Sequence, residues 1–234
     1  MLDETPLLAA VRALGLPVVG RSSEGRPIFG AVLGATLGTT FGGTAPFVVV
    51  GGVHGDEPAS VEAVLALVGR LGAGLTAAPL VVVPALNPDG LARGAKNNAR
   101  DVDLNRNFAA RNWTADHAPG YFPGAAALSE PETQCLARLV EAHAARGVVA
   151  VHAPFACVNY DGPAAAWAEA VAAACGWPAR GDIGYPTPGS LGSWLGVDRG
   201  LPVLTLELPP GPHAAFSQQA AAALDEAVRP RESL

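Results

Sequence analysis

Phe47-Val48-Val49-Val50-Gly51-Gly52-Val53-His54-Gly55-Asp56-Glu57 is the stretch that decides the fold. The apolar run to Val53 reads as a strand buried on both faces, the habit of a parallel sheet. Gly51, Gly52 and Gly55 let the backbone turn tightly where the strand ends. His54 and Glu57 then stand just past its carboxyl end. Two later runs repeat the arrangement: Gly147-Val148-Val149-Ala150-Val151 delivers His152, and Val203-Leu204-Thr205-Leu206 delivers Glu207. Open α/β sheets bind ligands at this edge. Three apolar strands that each end on a chemical group therefore predict an α/β fold with its site at the strand ends.

Working outward, a helix is expected over residues 6–15 and an edge strand over 26–33, after the polar turn 20–25. The 46–52 strand is followed by a helix that Pro58 can open, since its missing N–H is not needed there, running to about Arg70. Leu80 to Val83 reads as a strand, and Asn87-Pro88-Asp89-Gly90 as a turn. Residues 91–128 form a long irregular stretch, and such stretches inside compact domains are usually functional. Ser129-Glu130-Pro131-Glu132 should open a helix to about Arg146, with Ser129 as N-cap and Glu132 completing a capping box. An alanine-rich helix from Pro163 to about Cys175, a loop at 186–190, a strand at 202–207 and a helix over 213–228 complete the pattern. Strands alternating with helices imply a mostly parallel, mixed and twisted sheet covered by helices on both faces. No repeat, linker or boundary interrupts residues 1–234, which are expected to be one catalytic domain.

The 234 residues are 50% hydrophobic and 15% charged, with a formal net charge of −6. That balance, with no basic cluster, argues against nucleic acid or an anionic membrane as partner. The apolar runs fall well short of the roughly 18 residues needed to span a bilayer. The acidic start Met1-Leu2-Asp3-Glu4-Thr5-Pro6 lacks the basic region of a signal peptide. Cys135, Cys157 and Cys175 are an odd set without CxxC spacing, which favours reduced thiols. A cytoplasmic protein is expected; its oligomeric state is left open.

Chemistry concentrates at the three strand ends. His54, a carboxylate three residues on at Glu57, and the distant His152 can close three corners of one zinc tetrahedron, leaving the fourth to water. Glu207 emerges from an apolar strand, where a carboxylate must be paired, protonated or functional. Beside such a metal it is a candidate proton carrier. Asn105 and Arg106 can donate to a substrate carboxylate, arginine through a planar fork. His117, His143 and His213 have no ligand-like placement, and Cys157 reads as a small buried hydrophobe.

The ordered set His54-x-x-Glu57, Asn87-Pro88-Asp89-Gly90, Asp103-Leu104-Asn105-Arg106-Asn107-Phe108, His152 and a strand ending in Glu207 resembles the zinc carboxypeptidases, the metallocarboxypeptidase family. The resemblance implies one zinc per chain on His54, Glu57 and His152, Glu207 as general acid/base, and Asn105 with Arg106 as clamp on a terminal carboxylate. The segments 152–163 and 183–194 look like those of the murein peptide amidase subgroup. That similarity implies cleavage of the γ-D-glutamyl–diaminopimelate bond of murein peptides, hence a small peptide substrate with a free carboxylate. Tyr185, 22 residues before Glu207, occupies the place of the family's mobile substrate-contacting tyrosine, or else packs in a Pro-rich loop. Nine residues before Asn105 the family usually carries an arginine that stabilises the oxyanion; here Lys96 keeps the charge without the fork, and Arg93 and Arg100 are rivals for the role. Gly192 and Ser193 stand where basic-residue carboxypeptidases of the family carry an acid, which argues against strong selection for C-terminal Lys or Arg. The competing readings are a zinc deacylase of small N-acyl amino acids, sharing the metal triad and the Asn-Arg pair, and a non-catalytic peptide-binding module.

Overall fold

A computed structural model of the chain describes residues 4–33, 45–75 and 77–230. Of the acidic N-terminal run, residues 1–3 lie outside the described residues. In chain order the elements are α1 (Pro6–Ala13), β1 (Val18–Arg21), β2 (Pro27–Phe29), β3 (Ala31–Leu33), β4 (Phe47–Val50), α2 (Pro58–Gly72), β5 (Leu80–Val83) and α3 (Pro88–Arg93). Then come α4 (Pro131–Ala142), β6 (Gly147–His152), β7 (Cys157–Asp161), α5 (Ala165–Cys175), β8 (Ala179–Arg180), β9 (Val203–Glu207) and α6 (Ser217–Ala227).

The main sheet has seven strands in the order β3-β5-β4-β6-β9-β7-β8. β5, β4, β6 and β9 run parallel at its centre, and β8 runs parallel to β7. β3 and β7 pair antiparallel with β5 and β9 respectively, so the sheet is mixed. Successive side chains of a strand point to opposite faces, and β4 shows the consequence. Phe47 and Val49 pack into one core with α2, α5 and α6, while Val48 and Val50 pack into the other with α4. Both faces are covered, which is why the central strands read as unbroken apolar runs.

Three expectations are corrected. The 26–33 strand is two short strands in different sheets: β2 pairs with β1 as a separate ribbon, and β3 forms the edge of the main sheet. The capping box at Ser129 does not form. The Ser129 hydroxyl donates to Glu130 (2.8 Å), and Glu132 instead accepts from the Ser23 backbone (2.8 Å). The helix start is held from outside by Asn107, whose Oδ1 accepts from the Glu130 N–H (3.2 Å) and the Thr133 hydroxyl (2.7 Å). The Asn87–Gly90 turn begins a short helix, with the Asn87 side chain accepting from the Gly90 N–H at 2.8 Å. Among the described residues no helix is long and apolar enough to cross a membrane.

Candidate active site

The parallel centre of the sheet brings the sequence-distant groups together. β4 and β6 are hydrogen-bonded neighbours, and so are β6 and β9, with His152 directly beside Glu207 in the register. His54 follows β4 through Gly52, which needs its positive φ of 59°. Gly55 passes so close to the backbone of Gly90 that a Cβ there would overlap it. The same turn is tied on by Asn87, whose amide donates to Val53 O (3.3 Å) and Lys96 O (3.2 Å), and by the Gly55 N–H on Lys96 O (3.2 Å). The Asn-Pro-Asp-Gly stretch thus fixes the His54 loop and the Lys96 backbone to one another.

Glu57, at the N-cap of α2, collects both histidines. One carboxylate oxygen lies 2.8 Å from His54 Nδ1, and the other lies 3.1 Å from His152 Nδ1 and accepts from the Ala153 N–H at 3.2 Å. The three residues each bring a ligand atom within 4.8 Å of the others. Two imidazole nitrogens and a carboxylate are the donors zinc takes in hydrolytic sites, at about 2.0–2.2 Å each, and this cluster fits that requirement. A further feature strengthens the fit. His54 Nε2, the ring nitrogen turned away from the cluster, is 3.0 Å from Asp103 Oδ1, the carboxylate partner that fixes a metal-binding histidine's tautomer and orientation.

The electrostatics separate the two glutamates. Burial works to raise the pKa of Glu57, but the charges and hydrogen bonds of His152 and His54 prevail and lower it to about 2. Glu207 is also buried, and there desolvation, with the charge of Glu57 adding to it, outweighs the histidines and raises the pKa. Its Oε2 is buried without a hydrogen-bond partner. A carboxylate whose pKa is lowered suits a standing negative charge, and one whose pKa is raised suits proton transfer.

One cavity of about 400 Å³ is lined by His54, Glu57, His152 and Glu207, and also by Lys96, Asn105, Arg106 and Tyr185. These eight were all singled out from the sequence. Asn105 uses its Oδ1 to accept from the Leu191 N–H (3.0 Å), which leaves its NH₂ as the group able to donate into the cavity. Arg106 is buried and braced by donation to the Asn105 carbonyl (2.7 Å). Lys96 Nζ lies 2.8 Å from Asp103 Oδ2 and 3.6 Å from the centre of the Tyr121 ring. Its rivals are elsewhere: Arg93 pairs with Glu24, and Arg100 is largely exposed beside Glu130 at 3.6 Å. Tyr185 is partly exposed at the rim, its ring 6.1 Å from that of Phe155.

Three residues, two lining the cavity and one buried behind His54, carry functional geometry without a role in the sequence reading. Asp103 was legible only as part of a motif; the need of a ligating histidine for an outer carboxylate is the signal that singles it out. Tyr121 lies in the irregular stretch and had no periodic signal. Asp161 sits at the end of β7, a strand hidden because its polar alternation, Cys157-Val158-Asn159-Tyr160-Asp161, lacks the apolar run of its neighbours. A Cβ on Gly192 would collide with the Asp161 carboxylate. The cavity therefore has an acid beside Gly192, supplied from β7 and not from position 192 itself.

Residues 13–164 match the family model described as zinc carboxypeptidase. A curated relative, murein peptide amidase A of Escherichia coli, is 36% identical over 174 residues, covering 69% of this chain and 70% of its own. Its namesake from Vibrio campbellii is 34% identical over 175 residues, covering 69% and 68%. Among solved structures, a murein-tripeptide amidase from Escherichia coli superposes with a TM-score of 0.75 at 31% identity, covering 92% of this chain and 93% of that one. A carboxypeptidase A from Helicoverpa armigera reaches a TM-score of 0.75 at 20% identity, covering 94% and 69%, a likeness of fold.

Proposed function

The chain belongs to the zinc carboxypeptidase family and is a peptide-bond hydrolase, and from that premise we propose that it is a zinc-dependent amidase hydrolysing the γ-D-glutamyl–diaminopimelate bond of murein peptides. The observation that carries the reading is one cavity in which the His54–Glu57–His152 cluster, Glu207 and the Asn105–Arg106 pair meet. The names of the relatives at 34–36% identity support the substrate class. Three buried, unpaired cysteines suit a reducing compartment, consistent with work in the cytoplasm on recycled wall peptides.

His54, Glu57 and His152 would hold one zinc ion, which when bound supplies Lewis acidity to polarise the scissile carbonyl and acidify water. The chain's own groups divide the remaining work. Asn105 and Arg106 bind the carboxylate next to the scissile amide and so select the bond presented. Glu207, whose raised pKa brings it nearer to neutrality, takes a proton from the attacking water and returns it to the leaving amine. Lys96 places a positive charge beside the oxygen on which negative charge develops. Tyr185 closes over the substrate from the rim.

Mass spectrometry of the products tests this reading. L-Ala-γ-D-Glu-diaminopimelate should yield L-Ala-D-Glu and free diaminopimelate, and activity should disappear on chelation and return with zinc. Preference for succinylated amino acids, or for α-linked peptides ending in Leu or Phe, would overturn the substrate assignment.

A further inference from the structure

Asp161 is a carboxylate without an assigned task in the cavity that also holds the His54–Glu57–His152 cluster. It lines the same cavity as Glu207 and Arg106. It has neither a hydrogen-bond donor nor a cationic partner among the described residues, and desolvation alone pushes its pKa up. A half-buried carboxylate left in that state is costly unless something that binds there neutralises it.

The fold makes room for this group. The six-residue π-helical segment Gly192–Val197 packs across the end of β7. Its two glycines face Asp161: a Cβ on Gly192 would strike the carboxylate, and one on Gly196 would come within 2.5 Å of the Asp161 Cβ. π-Helical turns occur often at functional sites. The carboxylate therefore occupies a seat that side chains at 192 and 196 would abolish.

Its position relative to the reacting end is set by register. β7 runs antiparallel to β9, with Cys157 opposite Glu207, Asn159 opposite Thr205 and Asp161 opposite Val203. Residues two apart share a face, so Cys157, Asn159 and Asp161 form one row leading away from Glu207. Four residues at about 3.4 Å each put Asp161 about 14 Å along the strand from Glu207. An extended diamino acid with three methylenes between its two amino-acid carbons separates its nitrogens by about 7.5 Å on standard bond lengths. A hydrogen bond of about 2.9 Å at each end brings the total to about 13 Å.

We propose that Asp161 is the specificity-determining residue of the leaving-group pocket, accepting the ammonium at the far end of the diamino acid that Glu207 releases. The inference rests on the amidase reading for the identity of that diamino acid. It also replaces the expectation drawn from Gly192: the pocket does select a distal cation, using an acid from a neighbouring strand. A peptide whose leaving residue is lysine, which presents the same ammonium at a similar reach, then also qualifies, whereas a residue of equal length without the amine does not.

The test is calorimetric titration of the zinc-loaded protein with free diaminopimelate and with 2-aminopimelate, which has the same carbon chain but no far amine. Wild type should bind diaminopimelate at least about tenfold more tightly, the scale of a charge-assisted hydrogen bond. Asp161→Asn should bind the two ligands alike, with an unchanged melting temperature; Asp161→Ser, a second variant, should do the same. A preference that survives in both variants overturns the proposal, as does a wild type that binds the two alike or binds neither. A wild type with the Asp161-dependent preference that leaves L-Ala-γ-D-Glu-diaminopimelate intact would refute the substrate reading and leave the role of Asp161 standing.

Discussion

Asp103 grips His54 by the ring nitrogen that faces away from Glu57, with its Oδ1 3.0 Å from Nε2. The same carboxylate is fully buried, accepts from the Asn105 N–H at 2.9 Å and holds Lys96 at 2.8 Å through its second oxygen. One side chain thus orients a metal-ligand candidate, a candidate clamp residue and the candidate oxyanion cation. Burial works to raise its pKa, but His54 first, then Arg106 and Lys96, hold it well below the ordinary carboxylate range.

Asp103→Asn keeps the shape and removes the charge. Zinc affinity should fall by about 10–100-fold, the usual cost of losing the outer partner of a ligating histidine. Competition against a chromophoric chelator measures it. Unchanged affinity would mean that the His54 contact is not part of the metal site.

Lys96→Ala should lower kcat by about 10²–10³, the loss expected for one oxyanion donor. Arg93→Ala and Arg100→Ala should stay near wild type, because neither side chain reaches the cavity. Steady-state kinetics on the three variants ranks them. A harmless Lys96→Ala would remove this lysine from the reaction.

Glu207→Gln should retain zinc, fold and substrate binding, and lose at least about 10²-fold in kcat. Elemental analysis and kinetics on the same preparation separate this outcome from metal loss. Near-normal turnover in a zinc-loaded variant would exclude Glu207 as the proton carrier.

The sequence exposed those parts of the molecule whose physics is local. A strand buried on both faces has to be apolar throughout, so β4, β6 and β9 were legible, and with them the ends that carry His54, His152 and Glu207. Asn105 and Arg106 were readable only as candidate donors to a carboxylate, since Asn-Arg in a loop has no periodicity, and their role as a clamp, like the choice of Lys96, came through the family resemblance. What stayed hidden depends on pairing across long separations. β7 mixes polar and apolar residues because one of its faces lines the cavity, and β1 with β2 lies outside the main sheet. The capping box at Ser129 failed for the same kind of reason: Asn107 and Ser23, distant in sequence, supply better partners for the groups it would have joined. Asp161 gave no signal because positions 192 and 193 hold no acid, whereas the space beside a glycine can be filled from a neighbouring strand.

Metal uptake should release protons, with a pH dependence of definite sign. In the metal-free protein burial alone would lower the pKa of His54, but the hydrogen bonds and charges of Asp103 and Glu57 outweigh it and raise the value to about 9. At pH 7 this histidine is therefore protonated, and zinc has to displace a proton to use Nδ1. Proton and metal compete for the site, so zinc affinity should climb as pH rises towards 9 and level off above it. Across pH 7 to 8.5 the logarithm of the affinity should gain about one unit per pH unit, for about one proton released per zinc. Zinc titration in a lightly buffered solution with a pH indicator counts the protons, and chelator competition at several pH values gives the slope. Affinity that stays flat across this window, with no proton release at pH 7, would show that the two carboxylates do not hold His54 in its charged form.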